Sequence, residues 1–155
     1  MAEFEETTAR TRWVDAITVD DQTAALLRST GRSGMKFAPC GMLWDAVVIA
    51  PLERGLGALD LLGLPQDEGY PVFADRYKQE LMVQVELETA HLCAGVQGVR
   101  TLALGSWLMV PAGPIGNQHA AWISEPTPFC TRYVDAAGLR EAVLAADKRG
   151  TPARC

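Results

Sequence analysis

Residues 44–62 read WDAVVIAPLERGLGALDLL, and the architecture turns on this stretch. The run from Trp44 to Ala50 is almost continuously apolar, the pattern of a strand covered on both faces rather than one with a wet side. Pro51 ends it, because proline has no N–H to give to a ladder. Leu52, Leu56, Leu59 and Leu62 then recur at helical spacing, and Gly63-Leu-Pro65 closes the helix. Gly55 and Gly57 each weaken that helix by roughly 1 kcal/mol relative to alanine, so both are expected to pack closely on the sheet. A strand followed by a helix opens an α/β layer.

Upstream, Thr18-Val-Asp-Asp21 has the composition of a helix start, with Gly31 as its stop. Gly31-Arg-Ser-Gly34 reads as a connecting loop. Residues 1–12 are polar and expected to form a mobile arm, with Trp13, Val14 and Ile17 as the first apolar anchors. Downstream, Pro71–Ala74 and Gln79–Glu86 flank the polar turn Asp75-Arg-Tyr-Lys78 and are expected to pair. In the second of these strands Leu81, Val83 and Val85 alternate with Glu80, Met82, Gln84 and Glu86, giving one core face and one wetter face. A short helical connection is expected over Leu87–Ala94. Strands follow at Val99–Leu104, Trp107–Val110 and Ala121–Ile123, the last an edge strand bounded by Pro126 and Pro128. Asp135 caps a last helix through Asp147, with Leu139, Val143 and Ala146 on its buried side. The expectation is an α+β or α/β domain over residues 13–148. It has a mixed sheet of about five to six strands, two or three helices packed on one side, and a frayed tail at 149–155.

The chain has 155 residues, 48% hydrophobic and 21% charged, which suits one domain with a real core. Its net charge of -5 and pI near 5.0 weigh against a protein that grips a phosphate backbone. Cys40, Cys93, Cys130 and Cys155 form no CxxC pair, so neither a zinc ribbon nor a redox dithiol is expected. The first ten residues, MAEFEETTAR, lack the basic start and apolar core of a secretory signal. No apolar run reaches the roughly 18–20 residues of a membrane span. The expected setting is cytoplasmic, with reduced cysteines.

From Pro39 to Trp122 the order of features resembles the N-terminal domain of bifunctional DNA primase/polymerases (prim-pol), in the diverged form common in actinobacteria. The resemblance is carried by Pro39-Cys-Gly41, the strand Trp44–Ala50 with Pro51, and the GLGALDLLG helix. It continues through Pro71-Val-Phe-Ala-Asp-Arg76, the strand Glu80–Val85, Gly98-Val-Arg100, Gly105-Ser-Trp-Leu-Met-Val-Pro111 and Trp122. It implies an archaeo-eukaryotic primase-type domain built around an RRM-like sheet. It also shows which chemistry the chain has lost. Prim-pol enzymes hold two divalent metals on a pair of aspartates at the end of the first core strand, since magnesium and manganese require hard oxygen ligands. The matching positions here are Val48 and Ala50, and neither can bind a cation. The family's hairpin histidine corresponds to Glu80, and its glycine pair to Tyr77 and Lys78. Asp45 and Asp60 do not lie at matching positions. The resemblance therefore implies a domain without polymerase or primase activity.

By alternation, Ala46, Val48 and Ala50 share the vacated face with Glu80, Met82 and Gln84 of the neighbouring strand. The expected result is an apolar floor of Ala46, Val48, Ala50 and Met82, edged by Glu80, Gln84 and Arg76. Burial of such a floor is favourable by several kcal/mol at about 25 cal/mol per Å². It should therefore be covered by the N-terminal arm or a second subunit, or form a pocket for a small, partly apolar ligand. Cys40, at the mouth of the first strand, and Trp107, which could stack an aromatic ligand or fill the core, complete the candidate set.

Other constellations read as structural. His91 and Cys93 point apart at their spacing, and Glu86 and Glu88 suit a solvated edge. His119 could serve as a base only if the fold brought it to Cys40 or Cys130. Arg10, Arg12, Arg28, Arg32 and Lys36 are offset by Glu3, Glu5 and Glu6. The functional expectation is a degenerate prim-pol-like domain used for binding a small molecule, a nucleotide-like ligand or a protein, including a second copy, in specialised metabolism. A second reading is a small tailoring enzyme with Glu80 as general base and Arg76 as anion clamp. A third is a non-catalytic DNA-associated protein. No metal, cofactor or membrane partner is expected.

Overall fold

The computed structural model describes Trp13, Gln22 and residues 35–65, 68–112, 120–124 and 132–150. The arm at 1–12, the helix expected from Thr18 and the loop at Gly31–Gly34 lie outside these, as do His119, Cys130 and Cys155. The order is β1 (Met35–Pro39), β2 (Asp45–Ile49), α1 (Leu52–Leu62), β3 (Val72–Asp75), β4 (Glu80–Val85), a 3-10 turn (Ala90–Cys93), β5 (Val99–Leu102), β6 (Trp107–Pro111), β7 (Ala120–Ser124) and α2 (Ala136–Gly150). The α+β class matches the expectation.

The sheet is antiparallel throughout rather than mixed, in the order β5-β2-β4-β3-β7. The reason is topological. β2 and β3 flank β4 in a split βαβ arrangement, so each strand inserted between two others runs against both. β7 adds an outer edge, as its bounding prolines suggest. β5 and β6, consecutive in the chain, go to different sheets. β6 instead pairs with β1 in a separate two-stranded ribbon. β1 is the strand that the sequence shows least clearly, being short and ending at Pro39.

Strand β2 is fully buried along its length, as the almost continuous apolar run demanded. Val47 and Ile49 face a core shared with Leu81, Val83, Val72, Leu56, Leu59, Leu139 and Val143, so both helices lie on this side. Gly63, with φ +70, terminates α1 and returns its N–H to the Asp60 carbonyl. Asp135 Oδ2 accepts from the Gly138 N–H (2.8 Å) to cap α2. Trp13 is buried against α1. Its backbone N–H donates to Asp60 Oδ1 (2.7 Å) and its indole to the Leu64 carbonyl (3.0 Å). Arg54 ties the two helices together. Its Nε and Nη2 donate to both Asp147 oxygens (2.6 Å each), while Nη1 donates to the carbonyls of Ala50 and Gln97.

The two glycines of α1 turn out to differ. A Cβ on Gly55 would lie 2.7 Å from Leu81 Cδ2 and 3.3 Å from Ile49 Cβ, so the helix rests on the sheet there. A Cβ on Gly57 would meet nothing within 4 Å, which corrects the expectation of close packing at that position. Gly57→Ala should therefore stabilise the fold by roughly 1 kcal/mol through helix propensity. Gly55→Ala should destabilise it by about 1–3 kcal/mol through overpacking. Denaturant midpoints of the two variants against the parent chain check this opposite sign.

Candidate functional site

The second face of the sheet carries Val48, Met82 and Phe73 in adjacent strands, since Val48 pairs with Met82 and Met82 with Phe73. Phe73 meets Trp122 edge-on, with ring centroids 5.2 Å apart. The β1–β6 ribbon lies over part of this face. Its cross-strand pair Ala38 and Leu108, with Val110, packs onto the Val48–Phe73–Met82 cluster. Gly41 allows this arrangement. At φ +80 it brings the β1–β2 turn so close to the β5–β6 turn that a Cβ would fall 2.3 Å from the Leu104 backbone. The Cys40 N–H donates to the Ser106 carbonyl beside it (2.8 Å).

The ribbon roofs the face unevenly, leaving a cavity of about 520 Å³ floored by Val48, Met82, Leu102 and Ala120. Met35, Trp107, Leu108 and Met109 form its ribbon side, and Asp75, Tyr77, Lys78, Glu80 and Arg100 its polar rim. Asp75 and Glu80 are cross-strand partners at the turn end of the β3–β4 hairpin. Asp75 Oδ1 accepts from the N–H groups of Tyr77 and Lys78 (3.0 and 2.9 Å), a turn that holds both residues at the mouth. Arg100, opposite Val48 on β5, reaches across β2, and its Nη2 donates to Glu80 Oε1 at 3.0 Å. The Glu80 side chain is 17% exposed and that of Arg100 58%, so the carboxylate is the sheltered member of the pair.

Of the residues singled out from the sequence, Val48, Glu80, Met82 and Trp107 line this cavity. Trp107 is 63% exposed, so it belongs to the site and not to the core. Ala46 and Gln84 do share the face, as a cross-strand pair, but they are buried beyond the cavity. Ala50 leaves the floor because the chain turns there into α1, and it lines a different groove. Arg76 is not part of the rim. Its guanidinium is half-buried in the hairpin turn, which lowers its pKa. Arg100 supplies the cation instead. Nothing local marks Arg100 for this role, since only the pairing of β5 with β2 brings it to Glu80.

Cys40 is buried away from the cavity, and burial, helped by the charge of Asp45, pushes its thiol up to about 11. Cys93 donates to the Ala136 carbonyl (3.2 Å), and burial likewise pushes it up to about 11. Neither is a nucleophile at neutral pH. His91 is exposed while Cys93 is buried, so they point apart. Asp45 is buried with its Oδ2 accepting from the Ala90 N–H (3.2 Å), which makes it the cap of the 3-10 turn. Among the described residues no three His, Cys, Asp or Glu side chains converge on a metal-sized site.

A second groove, lined by Ala50, Pro51, Arg54, Gly98, Arg140 and Asp147, is more open and its strongest groups are already engaged. Arg54 and Asp147 hold each other in the two-pronged pair described above, leaving little to greet a ligand. The sheet cavity is therefore the candidate site. Comparison of the chain with protein families, curated proteins and solved structures gave no match.

The thiols give this part of the fold a pH signature. Cys40 and Cys93 keep their protons to higher pH folded than unfolded. Their contribution is complete below the ordinary thiol range and is lost as pH rises from about 9 towards 11. Denaturant midpoints measured across that window should fall, and Cys40→Ala and Cys93→Ala should each flatten the fall.

Proposed function

We propose that this domain is a binding module that takes a small, partly apolar molecule into the cavity between its sheet and its ribbon. The observation that carries the reading is the uneven roof. Val48 and Met82 are apolar floor residues at an opening, with charged groups confined to the rim. Sites for small ligands commonly have this composition, in volumes of roughly 300–1,000 Å³. Catalysis is less well supported, because Glu80, the expected general base, is already paired with Arg100 and has no Arg76 beside it.

The prim-pol resemblance supports the same reading. On that resemblance Val48 stands where a metal-binding aspartate would be, and the sheet face has changed from holding metal and triphosphate to holding an apolar group. The domain would work in a reducing cytoplasm, where Cys40 and Cys93 remain thiols, and its acidic charge keeps it off nucleic acid.

Benzyl alcohol, a neutral aromatic probe, should bind in isothermal titration and raise the melting temperature. Trp107→Ala should weaken that binding about tenfold while leaving the unliganded melting temperature within about 2 °C, because the indole is largely exposed. Unchanged binding in this variant would sink the reading. No template-dependent nucleotide incorporation is expected with manganese present.

A further inference from the structure

The rim of the cavity is balanced in charge. Two carboxylates, Asp75 and Glu80, face two cations, Lys78 and Arg100. The Arg100 guanidinium makes one hydrogen bond, from Nη2 to Glu80 Oε1, and its Nε and Nη1 have no partner among the described residues. The Asp75 carboxylate receives both of its turn N–H groups on Oδ1, and Glu80 receives Arg100 on Oε1. Oδ2 of Asp75 and Oε2 of Glu80 have no partner among the described residues. The mouth thus offers open donors on a guanidinium and open acceptors on two neighbouring carboxylates, with an apolar floor beneath and Trp107 at the side.

Each simple ligand class leaves part of this rim unsatisfied. A lone carboxylate would meet Arg100 but be repelled by Asp75 and Glu80. A lone amine would meet the carboxylates but be repelled by Arg100 and Lys78. A wholly apolar molecule would remove water from half-paired charges without replacing its hydrogen bonds. A molecule bearing an ammonium and a carboxylate on adjacent atoms, with an apolar tail, answers both sets at once. Its carboxylate accepts from Nη1 of Arg100 and from the second hydrogen of Nη2, its ammonium sits between Asp75 and Glu80, and its tail lies on Val48 and Met82.

Resting on the pocket reading above, we infer that the ligand class is a zwitterionic amino acid, or a derivative that keeps both charges, with a large apolar side chain. Isothermal titration of the full chain at neutral pH would compare L-phenylalanine with phenethylamine, which lacks the carboxylate, and 3-phenylpropionate, which lacks the amine. Phenylalanine should bind about tenfold more tightly than either. Arg100→Leu should lower phenylalanine to the level of phenethylamine while leaving phenethylamine no weaker. Glu80→Gln should weaken phenylalanine and phenethylamine but not phenylpropionate. Both side chains reach solvent at the rim, so neither change threatens the core. Equal binding of the three probes, or phenylalanine binding unmoved by Arg100→Leu, overturns the inference. If benzyl alcohol still binds in a Trp107-dependent way, that result removes the zwitterion and leaves the pocket. If neither benzyl alcohol nor phenylalanine binds, both readings fall.

Discussion

Strand β2 has no water on either side, and the rest of the molecule is arranged around that constraint. An apolar strand at the centre of a sheet needs a cover for each face, because one exposed side would forfeit the burial that drives folding. On one face the cover is helical, with α1 and α2 over Val47 and Ile49. On the other it is the β1–β6 ribbon over Val48 and its neighbours. The ribbon is a narrower lid than a pair of helices. It packs on the Val48–Phe73–Met82 cluster without sealing it, and the cavity is the space left between floor and ribbon.

Polar groups buried near this core hold elements together. Asp45 lies in the first core strand, yet its carboxylate caps the turn between β4 and β5. Arg54 joins the start of α1 to the end of α2 and to the chain entering β5. Buried charged groups of this kind persist when they are hydrogen-bonded. At the cavity rim Arg100, Glu80 and Asp75 keep side-chain atoms without a partner among the described residues, and there the groups reach solvent.

The resemblance to prim-pol domains and the shape of the cavity bear on the same residues. A face that holds magnesium or manganese needs hard oxygen ligands, and on the proposed resemblance Val48 would stand where one of them belongs. An apolar side chain there gives the cavity a floor without charge, with the charged groups confined to its rim. The proposed binding function rests on this composition of floor and rim.

Much of this was legible in the chain alone. The two-residue period of a strand places Glu80, Met82 and Gln84 on one face whatever their surroundings, and the almost continuous apolar run Trp44–Ala50 demands cover on both sides. The helix over Leu52–Leu62, its stop at Gly63 and the cap at Asp135 are local matters, settled by propensity and backbone geometry within a few residues. What lay beyond the sequence depends on register and packing between distant segments. Arg100 reaches Glu80 only because β5 pairs with β2. Trp107 reaches the cavity mouth only because β6 leaves the main sheet to pair with β1. Gly55 touches the sheet while Gly57, half a helical turn on, does not. By itself the sequence determined which residues must be buried and which share a face, because those follow from local periodicity. The tertiary structure alone decided where the cover ends and which charges meet there, because long-range pairing sets both.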